Sequence, residues 1–284
     1  MGRAANLDPL AAPAMTQPPA KYIRETPGAA NGNGTVDLDR CDEDARISCI
    51  MATRGRAFPA LHAIACFQSQ TYRNRELIVI SASMECEVKA LVAELNDPRI
   101  RFLEYPVADT VGDLRNAAIA EATGDLIAIW DDDDLSDPDR LRWQAAALQQ
   151  ARGDACFLAF VVLWWPSRLR LAHSACRRWE NTMLARKAVL PPYSAVRRGG
   201  DTMLVETLKA SSNLVTIEKL FGYCYIKHDS NLWGDDHFDR LFRDGSAEVS
   251  PTDYEQQLAI LSERMPLLAY RNGLFAAAVT QLPE

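Results

Sequence analysis

No two cysteines in this chain stand at C-x-x-C spacing, which leaves a small zinc or dithiol redox site without its framework. Cysteine is odd in number, seven, and Cys49, Cys66, Cys86, Cys156, Cys176 and Cys224 are scattered among apolar segments. That distribution predicts buried free thiols in a reducing compartment. A membrane-length hydrophobic run is missing too. The longest, Ala155 to Trp165, is closed by Pro166, well short of the roughly 20 residues a spanning helix needs, and reads as a core strand with a bulky end. Behind Arg3 there is no apolar stretch of the kind a secretory signal carries, so the expectation is a cytoplasmic protein with no integral membrane segment. Basic charge is not in excess: 31 Lys and Arg stand against 38 Asp and Glu, a formal net charge of -7. This excludes nucleic-acid binding through a generally basic surface and makes phosphate a small ligand rather than a polymer backbone. There is no internal repeat. The chain does have the composition of an ordinary globular domain, 48 % hydrophobic and 24 % charged over 284 residues, enough for one sizeable core.

Residues 1–45 are rich in Ala, Pro, Gly and Asn, as in Asn31-Gly32-Asn33-Gly34, and predict a disordered leader. From Arg46 strands and helices alternate. Ile47 to Ala52, Glu76 to Ile80, Ile100 to Tyr105 and Leu126 to Trp130 read as strands. Between them lie a helix near Pro59, one with Val88, Leu91, Val92 and Leu95 on a single face, and one from Gly112 that Gly124 stops. A helix over Leu141 to Gln150 follows, then strands over Cys156 to Leu163 and Leu169 to Ala172. Gly199-Gly200-Asp201 begins another helix, and Tyr223 to Lys227 forms a last strand. The rhythm predicts an α/β fold with a Rossmann-like N-terminal half, a mostly parallel central sheet flanked by helices, and ligands at the carboxyl ends of the strands. The domain is expected over 46–244 and a helical extension, with Tyr254, Leu258 and Leu261 on its packing face, over 245–284.

Asp131 to Asp134 stand at such a strand end. Four carboxylates in a row repel one another, and a hard cation such as Mg²⁺ or Mn²⁺, shared with substrate phosphates, relieves this. A solvated acidic turn opening the next helix accounts for the same residues.

Taken in order, these parts resemble the family 2 glycosyltransferases, inverting enzymes of the GT-A fold. The resemblance runs from about Ile47 to Trp233. It rests on Ser48 to Arg56, on Gln70 to Val79, on Gly112 to Asn116 with Ala117-Ala118, and above all on Trp130-Asp131-Asp132-Asp133-Asp134 followed by Pro138, Arg140-Leu141 and Gln144. It implies a nucleotide-diphosphate sugar as donor, Mg²⁺ or Mn²⁺ as cofactor, and a glycan, lipid-linked or small-molecule hydroxyl as acceptor. Asp131 and Asp133 fit its D-x-D pair. By resemblance Asp133, with Asp134 and His228, would hold the metal, and Asp131, Asp132, Thr53, Arg54, Arg56, Ser81 and Arg115 would contact the donor. Asp201 would be the general base, although an Asp after two glycines is also what a helix N-cap looks like. Trp179 would line a sugar site, and Tyr225, Asn231 and Trp233 would accompany His228. Two departures stand out. Ser81-Ala82-Ser83-Met84 replaces the family's aspartates for the nucleobase, and Gly200 replaces the glutamate before the base. These departures keep two rivals in view, a non-catalytic nucleotide-sugar or glycan-binding relative and a nucleotidyltransferase on a similar fold.

Overall fold

The computed structural model describes residues 18–83 and 87–280, with side chains through residue 274. Residues 1–17, Cys86 and residues 281–284 of the readings above lie outside them.

The expected first half is present. Strand β3 (Ile47–Ala52) follows two earlier strands, β1 (Ala20–Glu25) and β2 (Gly32–Val36). Helix α1 (Ala57–Gln68) leads to β4 (Arg75–Ser81), α2 (Glu87–Leu95) to β5 (Ile100–Glu104), and α3 (Val111–Glu121) to β6 (Leu126–Ile129). Strands β6, β3, β4 and β5 are neighbours in that order and all parallel. Helices cover them, so β4 is buried at every position, and its centre, Leu77 to Ile80, reads in sequence as a continuous apolar run between buried Arg75, Glu76 and Ser81.

After β6 the chain changes sheets. The four aspartates turn it into β7 (Leu135–Ser136), an edge of a second, five-stranded sheet of order β14-β10-β9-β13-β7. Helix α4 (Arg140–Gln150) returns it to the large sheet at β8 (Ala155–Leu158), and β9 (Val162–Trp165) lies in the small one. The apolar run read as one core strand is therefore two strands in two sheets. Both are buried throughout, so hydrophobic periodicity carries no mark of the crossing between them. The remaining elements are β10 (Arg170–His173), β11 (Trp179–Arg186), α5 (Gly200–Ser211), β12 (Leu214–Ile217), β13 (Tyr223–Ile226), α6 (Asp235–Arg243), β14 (Ala247–Glu248), α7 (Tyr254–Ser262) and α8 (Leu267–Thr280). Strand β11 inserts antiparallel between β6 and β8, which makes this half of the nine-stranded sheet, β2-β1-β12-β8-β11-β6-β3-β4-β5, mixed rather than parallel. No described helix is long and apolar enough to cross a membrane.

Three expectations need correction. The described part of the leader is ordered. Strand β1 pairs antiparallel with β12 from Tyr22↔Ile217 to Glu25↔Leu214, β2 pairs with β1, and Val36 and Leu38 are buried in the main core. Ladder hydrogen bonds hold this polar segment, helped by the Gln150 amide, which donates to the Asp37 and Arg40 carbonyls. Neither device leaves a periodic signature. Deleting residues 1–40 removes two fully buried aliphatic side chains, at about 1.5–3 kcal/mol each. The expected result in a thermal melt is a Tm lower by roughly 5–20 °C, and an unchanged Tm would show the hairpin to be dispensable. Of the C-terminal helices, secondly, the expected packing face is present, but Tyr254, Leu258 and Leu261, with Tyr270, enter the main core itself, and Arg264 donates to Asp137 (2.6 and 2.8 Å) and Asp139 (2.7 Å), so the helices are built into the domain rather than appended to it. Thirdly, the six described cysteines are free, but Cys176, in the turn before β11, is exposed and Cys41 is half-buried.

Candidate active site

The acidic turn has a rigid mount. Arg140 is fully buried and donates to the Ile129 carbonyl at the end of β6 (2.9 Å), to Ser136 Oγ on β7 (2.9 Å) and to Gln144 Oε1 one helical turn on (3.2 Å). Its guanidinium lies between the rings of Trp130 (5.1 Å) and Tyr223 (4.9 Å). Gln144 in turn donates to the carbonyls of Cys156 on β8 and Thr182 on β11. The Arg140 and Gln144 of the sequence motif thus act as braces for the acidic turn.

Each aspartate meets a different partner. Asp132 accepts from Arg56 Nη2 (2.7 Å) and from the Thr53 hydroxyl (2.5 Å), so both of its oxygens and that hydroxyl are committed to each other. Asp134 is buried, and its oxygens accept from the Ile226 N–H (2.9 Å) and the Tyr223 hydroxyl (2.7 Å), which joins the turn to β13. Asp131 accepts from Arg115 Nη2 (3.0 Å) and, more distantly, from Tyr223 (3.2 Å). Asp133 Oδ2 receives Arg56 Nη2 (2.8 Å) and His228 Nε2 (3.0 Å), while no protein hydrogen bond among the described residues reaches its Oδ1.

These surroundings sort the carboxyls by acidity. Burial raises Asp131 to about 6 in spite of Arg115, and burial with the Asp133 charge raises Asp132 to about 7. Asp134 is driven well above the usual range, again by burial first and then by Asp133 and Asp131. Asp133 goes the other way: burial opposes its charge, but the His228 hydrogen bond and Arg56 hold it below the ordinary value. Among the four aspartates of the turn, Asp133 is thus the one held ionised with an oxygen to spare.

His228 meets the acidic turn. The Ser230 backbone N–H reaches Nδ1 at 3.2 Å, and Nε2 stands close to Asp133 Oδ2 (3.0 Å), the Asn231 amide nitrogen (3.1 Å) and Arg56 Nη1 (3.4 Å). Which of these groups Nε2 serves as donor or acceptor follows the tautomer of the ring. Both oxygens of Asp134 are engaged. Among the described residues no three His, Cys, Asp or Glu side chains stand together as a metal cage. Mg²⁺ and Mn²⁺ in phosphate sites need only one or two carboxylates besides phosphate and water, and Asp133 fits that smaller requirement.

Asp201 faces this floor from α5. The residue at the helix cap is Gly199, with φ +77°, and Asp201 lies one position inside the helix and makes no cap bond. The N-cap reading does not apply. Its carboxylate accepts from Arg115 Nη1 at 2.5 Å, and Thr202 beside it donates to Glu180 (2.7 Å). Arg115 projects from α3, whose start is fixed by a capping box between Thr110 and Asp113.

One cleft of about 550 Å³ gathers Arg54, Arg56, Arg115, the four aspartates, Trp179, Asp201, Tyr225, Asn231 and Trp233. Exposed Arg54 has no ion-pair partner among the described residues. Ser81 is buried, accepts from the Ser83 N–H and does not line the cleft. Trp179 is buried with Arg177 over its ring (4.3 Å), so that face is not free to stack on a sugar. Sequence reasoning missed Tyr223 and Tyr193 as site residues, because their partners lie 89 or more residues away in one case and 77 in the other.

A mixed α/β sheet, with an acidic turn leading from it into a second, smaller sheet, is the architecture of the GT-A fold. The matching sequence profile is that of "Glycosyl transferase family 2", over residues 48–197, and the chain belongs to this family. It is 37 % identical over 107 residues to a putative colanic acid biosynthesis glycosyl transferase, WcaA, of Escherichia coli K12, and 33 % identical over 101 residues to the succinoglycan biosynthesis protein ExoO of Rhizobium meliloti. Those stretches are 37 % and 36 % of this chain and span 38 % and 29 % of the two relatives. Among solved structures, S. aureus TarS 1-349 with UDP-GlcNAc superposes with a TM-score of 0.54 at 15 % identity, covering 76 % of this chain and 65 % of that one. The mannosyltransferase PcManGT of Pyrobaculum calidifontis, in complex with GDP-Man and Mn²⁺, gives 0.54 at 17 % identity, covering 86 % and 79 %. At such identity the likeness shows the fold.

Proposed function

We propose that this protein is a metal-dependent, inverting glycosyltransferase that moves a sugar from a nucleotide-diphosphate donor to a hydroxyl acceptor. The observation that carries this reading is the pairing, in one cleft, of ionised Asp133 with Asp201 on the opposite wall. Asp133 would hold Mg²⁺ or Mn²⁺, which when bound stabilises the charge growing on the departing diphosphate. Arg54, free of carboxylates, is placed to contact the same phosphates. Asp201 takes the proton of the acceptor hydroxyl as that oxygen attacks the anomeric carbon from the face opposite the leaving group, and a single displacement of this kind inverts the configuration. Nucleotide sugars in complexes of structural neighbours support the donor class. With Ser81 off the cleft and the Thr53 hydroxyl held by Asp132, the nucleobase is read by other groups or by backbone.

The test is a turnover assay with UDP- and GDP-sugars and Mn²⁺, with glycan, lipid-linked and simple sugar acceptors. Release of the nucleoside diphosphate is the expected product signal. Pyrophosphate instead would identify a nucleotidyltransferase, and binding of donor without any release would identify a non-catalytic relative.

A further inference from the structure

We propose that Arg115 is a positioning residue that sets the separation between the donor floor and the general base, and that it does not bind the donor phosphates. This rests on the roles given to Asp131 and Asp201 above. The resemblance placed Arg115 on the donor. Its guanidinium is committed elsewhere: Nη1 donates to Asp201 (2.5 Å) and Nη2 to Asp131 (3.0 Å), on a residue only 8 % exposed. The two carboxylates come from distant elements, 86 and 16 residues from Arg115, and would repel each other without a cation between them. A planar fork with several donors can hold both at a fixed spacing, which the single ammonium of a lysine cannot.

The surroundings hold the fork in place. Tyr193 lies against the guanidinium, 5.2 Å from ring centre to Cζ. That tyrosine is fixed through its backbone by the next residue on α3: Asn116 Nδ2 donates to the Tyr193 carbonyl (2.9 Å), and the Tyr193 N–H donates to Asn116 Oδ1 (2.8 Å). Gly112 lets the same loop approach, since a Cβ there would stand 2.7 Å from the Ser194 carbonyl oxygen. Gly112, Arg115 and Asn116, three positions of one sequence motif, therefore serve a single purpose. They seat the 193–194 loop on α3 so that Arg115 has one available direction, across the cleft. Loss of the fork frees Asp201 to shift, and a displacement of about 1 Å at a reacting group can cost about 10²-fold in rate.

The experiment compares Arg115→Met and Arg115→Lys with wild type in two arms. In the first, amide hydrogen exchange is followed over Met203 to Glu206, where the Met203 N–H bonds the Gly199 carbonyl and α5 begins its ladder. The bridge predicts exchange faster by about tenfold or more in both variants, while the central sheet keeps its protection. In the second arm, turnover with nucleotide sugar should show kcat lower by about 10²-fold with donor KM within about threefold, and added guanidinium should restore part of the kcat of Arg115→Met. Lysine should not restore it. Unchanged exchange over 203–206 would overturn the bridge, and a loss confined to donor KM would return Arg115 to the diphosphate. The exchange arm uses no substrate, so it decides the bridge even where wild-type turnover fails and the functional reading falls.

Discussion

Asp201→Asn is expected to lower kcat by about 10²-fold to 10⁴-fold while leaving donor affinity close to wild type. Asparagine keeps an oxygen that can accept from Arg115, so the carboxamide should occupy nearly the same place. What it loses is basicity: it cannot take the proton from an attacking hydroxyl. The structure makes this test sharper than the sequence did, because Asp201 is not the cap of α5 and a capping loss cannot be confused with a catalytic one. Replacing an ion pair between Arg115 and a partly exposed carboxylate by a neutral hydrogen bond should cost stability of order 1 kcal/mol, visible as a small drop in Tm. Donor binding by calorimetry and initial rates with saturating donor give the two readouts. Turnover within a few-fold of wild type would remove Asp201 from the mechanism.

Chelation is expected to have an effect as large. EDTA should abolish transfer, added Mn²⁺ or Mg²⁺ should restore it, and Asp133→Asn should weaken both metal titration and donor binding with the fold intact. The reason differs from the one the sequence offered. Read as a string, Asp131 to Asp134 has no neighbouring Lys or Arg to relieve the repulsion. Folded, Arg56 reaches Asp132 and Asp133 and Arg115 reaches Asp131, so much of the charge is already balanced. The expected need for a cation now rests on Asp133 Oδ1, which no hydrogen bond among the described residues reaches. Full activity in chelator would show that Arg56 and Arg115 suffice.

The parallel half of the sheet was legible because each buried strand is a short apolar run closed by turn residues, and each helix between them carries an apolar face. The acidic turn was legible for a chemical reason: four carboxylates at a strand end are costly unless something binds there. What could not be read was anything held by backbone pairing or by distant side chains. Strands β1 and β2 have little apolar content, and the break between β8 and β9 is hidden inside continuous burial. The spending of Arg115 on Asp201, of Thr53 and Arg56 on Asp132, and the approach of His228 to Asp133 depend on partners 76 to 95 residues away, and no local pattern encodes them.

The passage of the chain between two sheets also places the cleft between them. Its walls come from both sheets, β11 of the large one and β13 of the small one. The two are tied together by Arg140, which donates to the Ile129 carbonyl on β6 of the large sheet and to Ser136 Oγ on β7 of the small one, each at 2.9 Å. Sheets joined in this way cannot slide apart to admit a bulkier acceptor. On the proposed function, substrate range is then left to the loops of the cleft, where Leu232 and Trp233 line it together with Gly199, Asp201 and Thr202. Exchanging those rim segments between relatives should move acceptor choice without disturbing the machinery beneath.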